Sequence, residues 1–284
     1  MIGREKLFKK LESVLAKSKA DQTEIVFIGT DSGLTRFANS YIHQNVHESN
    51  NRIFIRSVIG NKVGVATANS LVTGELLKTL DASYEIAIQQ PENPNFPGLA
   101  KPAKYKEMNT FDDATASCTP KARAEKVKSI ISLSDEKNFT AAGAFSTSSG
   151  EIAVLNSNDL RAYQPFTGTS TNMVVMSDTS SGYSSDTSRK VSDLDFEKLA
   201  KTAVDKCYRS QNPISIDAGE YEVILEPAAI AEALEWLNYV SFGSKGYLQN
   251  MSLLSGKIGN KITSDQITIY DNALDEKANS TPRP

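Results

Sequence analysis

The stretch "SYIHQNVHESNNRIFIRSVIGNKVGV" (residues 40–65) carries both histidines of the chain, His43 and His47. On a helix, residues four apart share a face at about 6 Å and can hold one zinc ion. On a strand rising ~3.3 Å per residue they share a face but stand roughly 13 Å apart, too far for one metal. The preceding residues have no 3.6-residue apolar repeat, and Asn39, Asn45, Asn50 and Asn51 are poor helix formers. Ile53, Ile55 and Ile59 then alternate with Arg52 and Arg56, which is strand period. Gly60-Asn61 separates "RIFIRSVI" from "KVGVATA" as a hairpin turn would. The region therefore reads as a β-meander, with two half-exposed strand histidines and no shared metal.

Working outward, "EIVFIGT" (24–30) is expected to be a strand ended by a turn at Asp31-Ser32-Gly33. Before it, Leu7, Phe8, Leu11, Val14 and Leu15 form one helical stripe. After the meander, Ser70 is expected to cap a helix bearing Leu76, Leu77 and Leu80. The four-proline segment 89–111 is expected to be a long irregular loop, of the kind used for binding or as a mobile cover. Thr119-Pro120 opens a helix with Ala124, Val127, Ile130 and Ile131 on its apolar side.

Residues 138–177 read as several strands with Ser/Thr-rich turns, and "TSSGYSSDTSRK" reads as flexible. Ser192 with Asp195 resembles a capping box ahead of a helix with Leu199, Ala203 and Cys207. A strand "YEVIL" and a helix "PAAIAEALEWLNYVSF" lead into a glycine-punctuated tail. Helices and antiparallel strands mix without a βαβ rhythm, so the fold class is α+β. The expected division is an N-terminal α+β domain at 1–216 and the start of a β-rich domain at 217–284.

Composition narrows the function. In 284 residues the net charge is −3, with 31 basic against 34 acidic side chains. No basic run or basic-aromatic patch suggests nucleic acid. No stretch has the length of a membrane span, and "MIGREKLFKKLESVLAKSKA" lacks the apolar core of a signal peptide. Cys118 and Cys207 imply no disulfide framework, which favours a reduced, cytoplasmic setting. They read as small apolar residues rather than redox or zinc groups. Asp112 and Asp113 read as turn residues rather than acid/base catalysts, and the serine-rich stretch 167–189 as exposed turns. No Gly-x-Ser-x-Gly elbow, Walker or Rossmann glycine pattern occurs; "GSKGY" lacks the spacing.

Three blocks line up in order: "RFANSYIHQNVHESNNRIFIRSVIGNKVGVATAN", "DTSRKVSDLDFEKLAKTAVDKCYRSQNPISIDAGEYEVILEP" and "FGSKGYLQNMSLLSGKIGNKITSDQITIYDNALD". Together they resemble the TldD/PmbA (TldE) family, formerly described as modulators of DNA gyrase. The resemblance runs from about residue 3 to the end. It implies a cytosolic proteolytic system with two branches. One is a zinc metallopeptidase built on a His-Glu-x-x-x-His helix, whose metal polarises the scissile carbonyl while the glutamate activates water. The other lacks the motif and forms a complex with the catalytic subunit.

Residue by residue, the motif positions fall near Glu235, Trp236 and Val240. None matches, and no histidine follows His47. "AIAEALEWLNYV" is explained as a helix packing Ile230, Leu234, Leu237 and Val240, with Glu232 and Glu235 solvated. The chain is thus expected to be the non-catalytic, PmbA/TldE-like subunit of a protease acting on unfolded peptides or peptide precursors. The alternative is an active metallopeptidase with a degenerate or partner-completed zinc site. No catalytic, cofactor-binding or metal-binding residue is assigned and no cofactor is expected. The expected partners are a TldD-like catalytic subunit or a second copy, and peptide substrate, without nucleic acid or membrane. Family members continue past "NSTPRP", so the chain is expected to be a fragment or to have a shortened second domain, with 217–284 poorly packed alone. Trp236 is read either as an interface anchor or as ordinary core.

Overall fold

Both histidines lie on one strand. The computed structural model describes residues 1–106, 108–272 and 274–275. After helix α1 (Arg4–Leu15), strands β1 (Gln22–Ala38), β2 (Tyr41–Ile59) and β3 (Lys62–Ala68) form the expected meander. Asn39 and Ser40 make the first turn, both at positive φ (50° and 58°). The Ser40 hydroxyl accepts from the Ala141 amide at 3.1 Å, which pins this turn. Gly60, at φ 57°, makes the second turn; positive φ is cheapest for glycine, which has no Cβ.

Helix α2 (Thr73–Gln89), the long loop, a four-residue helix α3 (Asp113–Ala116) and helix α4 (Pro120–Asp135) follow. Strands β4 (Thr140–Asn156), β5 (Arg161–Met176) and β6 (Ser181–Ser188) and helix α5 (Phe196–Arg209) complete this part. The six strands form one antiparallel sheet in the order β3-β2-β1-β4-β5-β6. The fold is α+β, as expected.

Several local expectations are corrected. Asp31-Ser32-Gly33 is no turn: β1 runs straight through it, paired with β2 on one side and β4 on the other. Residues 138–177 are two long strands, not several short ones. Their serines and threonines bridge strands instead of turning: Ser146 and Ser170 hydroxyls meet at 2.8 Å, and Thr169 donates to the Ser146 carbonyl at 3.0 Å. "SGYSSDTS" is strand β6, not a flexible linker. The caps also shift. Val72, not Ser70, occupies the α2 cap position, and Asp195, not Ser192, caps α5 by accepting from the Lys198 amide. The Thr119 cap of α4 is as expected.

The helices pack on one face of the sheet over two apolar clusters. Leu7, Leu11 and Val14 of α1 and Leu76 and Leu80 of α2 meet Ile25, Phe27, Ile53 and Ile55. Val127 and Ile130 of α4 and Ala200, Ala203 and Cys207 of α5 meet Phe37, Phe145, Met173 and Val175. Each fully buried side chain of this kind contributes about 1.5–3 kcal/mol.

The two clusters mark an internal repeat. A helix, three antiparallel strands and a helix occur twice, joined at the β1–β4 pair. The hairpin registers coincide: Gln22 faces Val58 in the first copy and Thr140 faces Met176 in the second. Phe27 thus corresponds to Phe145, Gly33 to Glu151 and Gly64 to Gly182. The paired glycines do the same work. A Cβ on Gly64 would lie 2.2 Å from the Ser83 carbonyl oxygen of α2, and one on Gly182 would lie 2.0 Å from the Ala203 carbonyl oxygen of α5.

The long loop is partly a fixed cover. Thr110 donates to the Pro165 carbonyl at 2.6 Å and accepts from the Thr167 amide through its own carbonyl at 2.8 Å. It thereby closes the part of β5 that lies outside the β6 ladder. Its own Leu99 and Met108 are buried.

Met1–Gln211 forms one compact unit and Asn212–Asn272 a second. The second contains helices α6 (Pro227–Ser241) and α7 (Ser244–Leu248). The expected strand "YEVIL" is absent among the described residues. A strand needs neighbours to satisfy its backbone, and Ile224 is instead 97% exposed. Trp236, at 63% exposed, is not core in this unit.

Candidate functional site

His43 and His47 are both exposed on β2, rather than half-exposed. His43 packs edge-on against Tyr41, and the His47 Nε2 lies 4.0 Å from an Asp31 carboxylate oxygen. Among the described residues no group of three His, Cys, Asp or Glu side chains is arranged to hold a metal. Cys207 is buried in the core, and Cys118 is half-buried; both are free thiols. Asp112 is the N-cap of α3 rather than a turn residue: its carboxylate accepts from the Thr115 amide at 2.8 Å and hydroxyl at 2.6 Å. Asp113 is exposed and is the first residue of that helix.

The chemistry concentrates elsewhere, in a polar band between the two apolar clusters. Glu151 of β4 is 2% exposed. Its carboxylate accepts from the amides of Ile2 (2.5 Å) and Gly3 (3.0 Å) at the start of α1, and from the Tyr163 hydroxyl at 2.8 Å. A carboxylate over a helix N-terminus meets unpaired amides and a favourable dipole. Burial and the neighbouring Glu151 charge push the Tyr163 phenol well above its usual range.

Arg123 of α4 is 3% exposed. Its Nε donates to the Thr35 hydroxyl at 3.1 Å; its Nη1 donates to the Cys118 carbonyl at 3.0 Å and the Thr147 hydroxyl at 3.3 Å. All three acceptors are neutral. Gly33 makes room for it: a Cβ there would sit 2.4 Å from Nη1 and 2.7 Å from Nη2. A cavity of about 50 Å³ adjoins the guanidinium, lined also by Cys118, Thr115, Thr147 and Asp31. Burial raises the Cys118 thiol pKa, against the lowering influence of Arg123.

The sequence reading missed both charged residues, although each left a signal. Arg123 stands on the stripe with Val127, Ile130 and Ser134, all buried. Glu151 shares strand parity with buried Ala153 and Leu155. A charge at an inward position is informative because buried charges require partners.

Residues 109–210 match the PmbA/TldA metallopeptidase central domain, and residues 218–283 match the PmbA/TldA metallopeptidase C-terminal domain. These two matches cover more than half of the chain. The chain belongs to the PmbA/TldD family.

The central-domain match coincides with the second copy of the repeat. An uncharacterised protein of Methanocaldococcus jannaschii is 24% identical over 221 residues, which is 77% of this chain and 50% of that protein. The fold is shared with TldE from Thermococcus kodakarensis (TM-score 0.75, 18% identity, 87% of this chain and 58% of that one). It is also shared with a Thermotoga maritima protein described as a candidate modulator of DNA gyrase (TM-score 0.79, 17% identity, 89% and 60%). The chain thus spans half to three-fifths of the length of these relatives.

The PmbA/TldD metallopeptidase name raises the question of zinc. Glu235, Trp236 and Val240, which the sequence resemblance puts near the motif positions, all lie on α6. Neither indole nor isopropyl can ligate zinc, and a lone carboxylate falls short of the three protein ligands of a catalytic site. These residues do not fit the metal.

Proposed function

We propose that this chain is the non-catalytic, TldE-like subunit of a PmbA/TldD-type protease, presenting unfolded peptides or peptide precursors to a TldD-like partner or acting with a second copy. The observation that carries this reading is the replacement of the zinc-binding motif on α6 by Glu235, Trp236 and Val240, with no histidine after His47. The exposed apolar side chains of the second unit support association: Tyr239 is 81% exposed, and Ile224 and Trp236 accompany it. Exposed apolar patches commonly mark interaction surfaces. We place the complex in the cytoplasm; two free thiols suit a reducing compartment. No helix among the described residues is long and apolar enough to cross a membrane.

The test is cleavage of casein or a dye-labelled unfolded peptide. The purified chain should leave them intact, and adding a relative that carries the complete His-Glu-x-x-x-His motif should start chelator-sensitive cleavage. Chelator-sensitive cleavage by this chain alone contradicts the reading.

A further inference from the structure

The internal repeat places two inward strand positions in equivalent surroundings, and they differ in one respect. Glu151, on a strand of the second copy, supplies a buried carboxylate to the amides at the start of α1. The equivalent strand position of the first copy is Gly33, beneath the N-terminal end of α4. There the guanidinium of Arg123 lies against the glycine, and the adjoining cavity of about 50 Å³ has room for a small polar group.

The guanidinium keeps its charge at any ordinary pH. Among the described residues it has no carboxylate partner within ion-pair distance; its three hydrogen bonds go to two hydroxyls and a carbonyl. Among the described residues its Nη2 makes no hydrogen bond, and the guanidinium borders the cavity. The nearby Asp31 does not serve as partner, because its carboxylate faces the Met1 amino group at 3.8 Å and His47 at 4.0 Å. A cation at the N-terminal end of a helix also gains nothing from the helix dipole. Both circumstances call for an anion that the described residues do not supply.

We propose that the cavity between Gly33, Cys118, Thr147 and Arg123 binds a carboxylate, taking from the ligand the group that Glu151 provides at the equivalent position beneath α1. The Arg123 Nη2 and the Thr147 hydroxyl are the donors, the Thr115 hydroxyl being already committed to Asp112, and the cavity admits the carboxylate head only. The source is either a peptide C-terminus, with the remaining residues outside, or a free small carboxylic acid. The site does not depend on whether the chain is catalytic.

Cys118 lines the cavity and reports on its occupancy, while buried Cys207 serves as the internal reference. Iodoacetamide labelling of the 284-residue chain is followed at each cysteine by mass spectrometry, at fixed alkaline pH and ionic strength. The probes are N-acetyl-Ala-Ala as free acid, the same peptide as amide, and acetate. The free acid should slow Cys118 labelling saturably, by about tenfold at concentrations above a millimolar dissociation constant, and the amide should not. Acetate protecting as well as the peptide assigns the site to small free acids; stronger protection by the peptide acid assigns it to chain termini. Arg123→Lys keeps the charge but loses the fork, and should weaken protection about tenfold while circular dichroism confirms the fold. No protection by either acid, or equal protection by the amide, overturns the proposal even if the variant fails to fold.

Discussion

Glu151 and Arg123 are the residues whose placement is hardest to reach by chance. Both are charged and almost wholly buried. Glu151 is satisfied by two amides and a phenol, so Glu151→Ala should cost about 2–4 kcal/mol, since three donors lose their acceptor. Glu151→Gln, which keeps an acceptor oxygen, should cost less. Urea unfolding monitored by circular dichroism checks this, and a loss below about 0.5 kcal/mol for the alanine variant would show that water replaces the carboxylate freely.

Cys118 gives a second prediction at this scale. Its thiol pKa is raised by burial, so the folded chain holds this proton more tightly than the unfolded chain. The associated stability is full below the ordinary thiol pKa and is lost as pH rises through the folded value. Cys118→Ala should therefore reduce the fall in melting temperature on the alkaline side, leaving neutral pH little changed. An unaltered alkaline slope contradicts it. Arg123 was legible in principle, because its spacing from Val127 and Ile130 puts it on the buried side of α4. The cavity was not, because it depends on Gly33 lying beneath α4.

At the scale of elements, helices α1, α4 and α5 follow from their apolar spacing, whereas α6 forms without the expected packing, since Ile230, Leu234 and Val240 are exposed; the β2–β3 hairpin follows from alternation ended by Gly60-Asn61. Turn chemistry misled where tertiary pairing overrode it. Asp31-Ser32-Gly33 is turn-forming in isolation, but in the centre of the sheet both neighbouring ladders hold it extended. The segment "YEVIL" has strand composition and no strand to pair with among the described residues. Composition alone does not make a strand; partners do. The close approach of helix to sheet at Gly64 and Gly182 was equally invisible, since a glycine in a strand reads only as a weak position. Their equivalence gives a matched prediction. Gly64→Ala and Gly182→Ala should each destabilise by about 1–3 kcal/mol, because the added methyl meets helix backbone that cannot move aside. Gly74→Ala in α2 meets nothing within 4 Å and should be neutral or slightly stabilising. Thermal unfolding of the three variants separates them; equal behaviour of Gly64→Ala and Gly74→Ala would mean that α2 packs more loosely than the structure shows.

At the scale of the whole molecule, the family resemblance carried by three sequence blocks agrees with the domain matches and the shared fold. The repeat was not legible because the corresponding positions rarely share a residue type; Phe27 with Phe145 and Gly64 with Gly182 are exceptions, and shared hairpin register is visible only in coordinates. The functional reading rests on the motif positions of α6 and the two strand histidines. It is tested most directly by the zinc content of the purified 284-residue chain after exhaustive dialysis, measured by plasma emission spectroscopy. Well below one equivalent is expected, unchanged by His43→Ala or His47→Ala. One tightly held zinc per chain, lost on replacing either histidine, would contradict it.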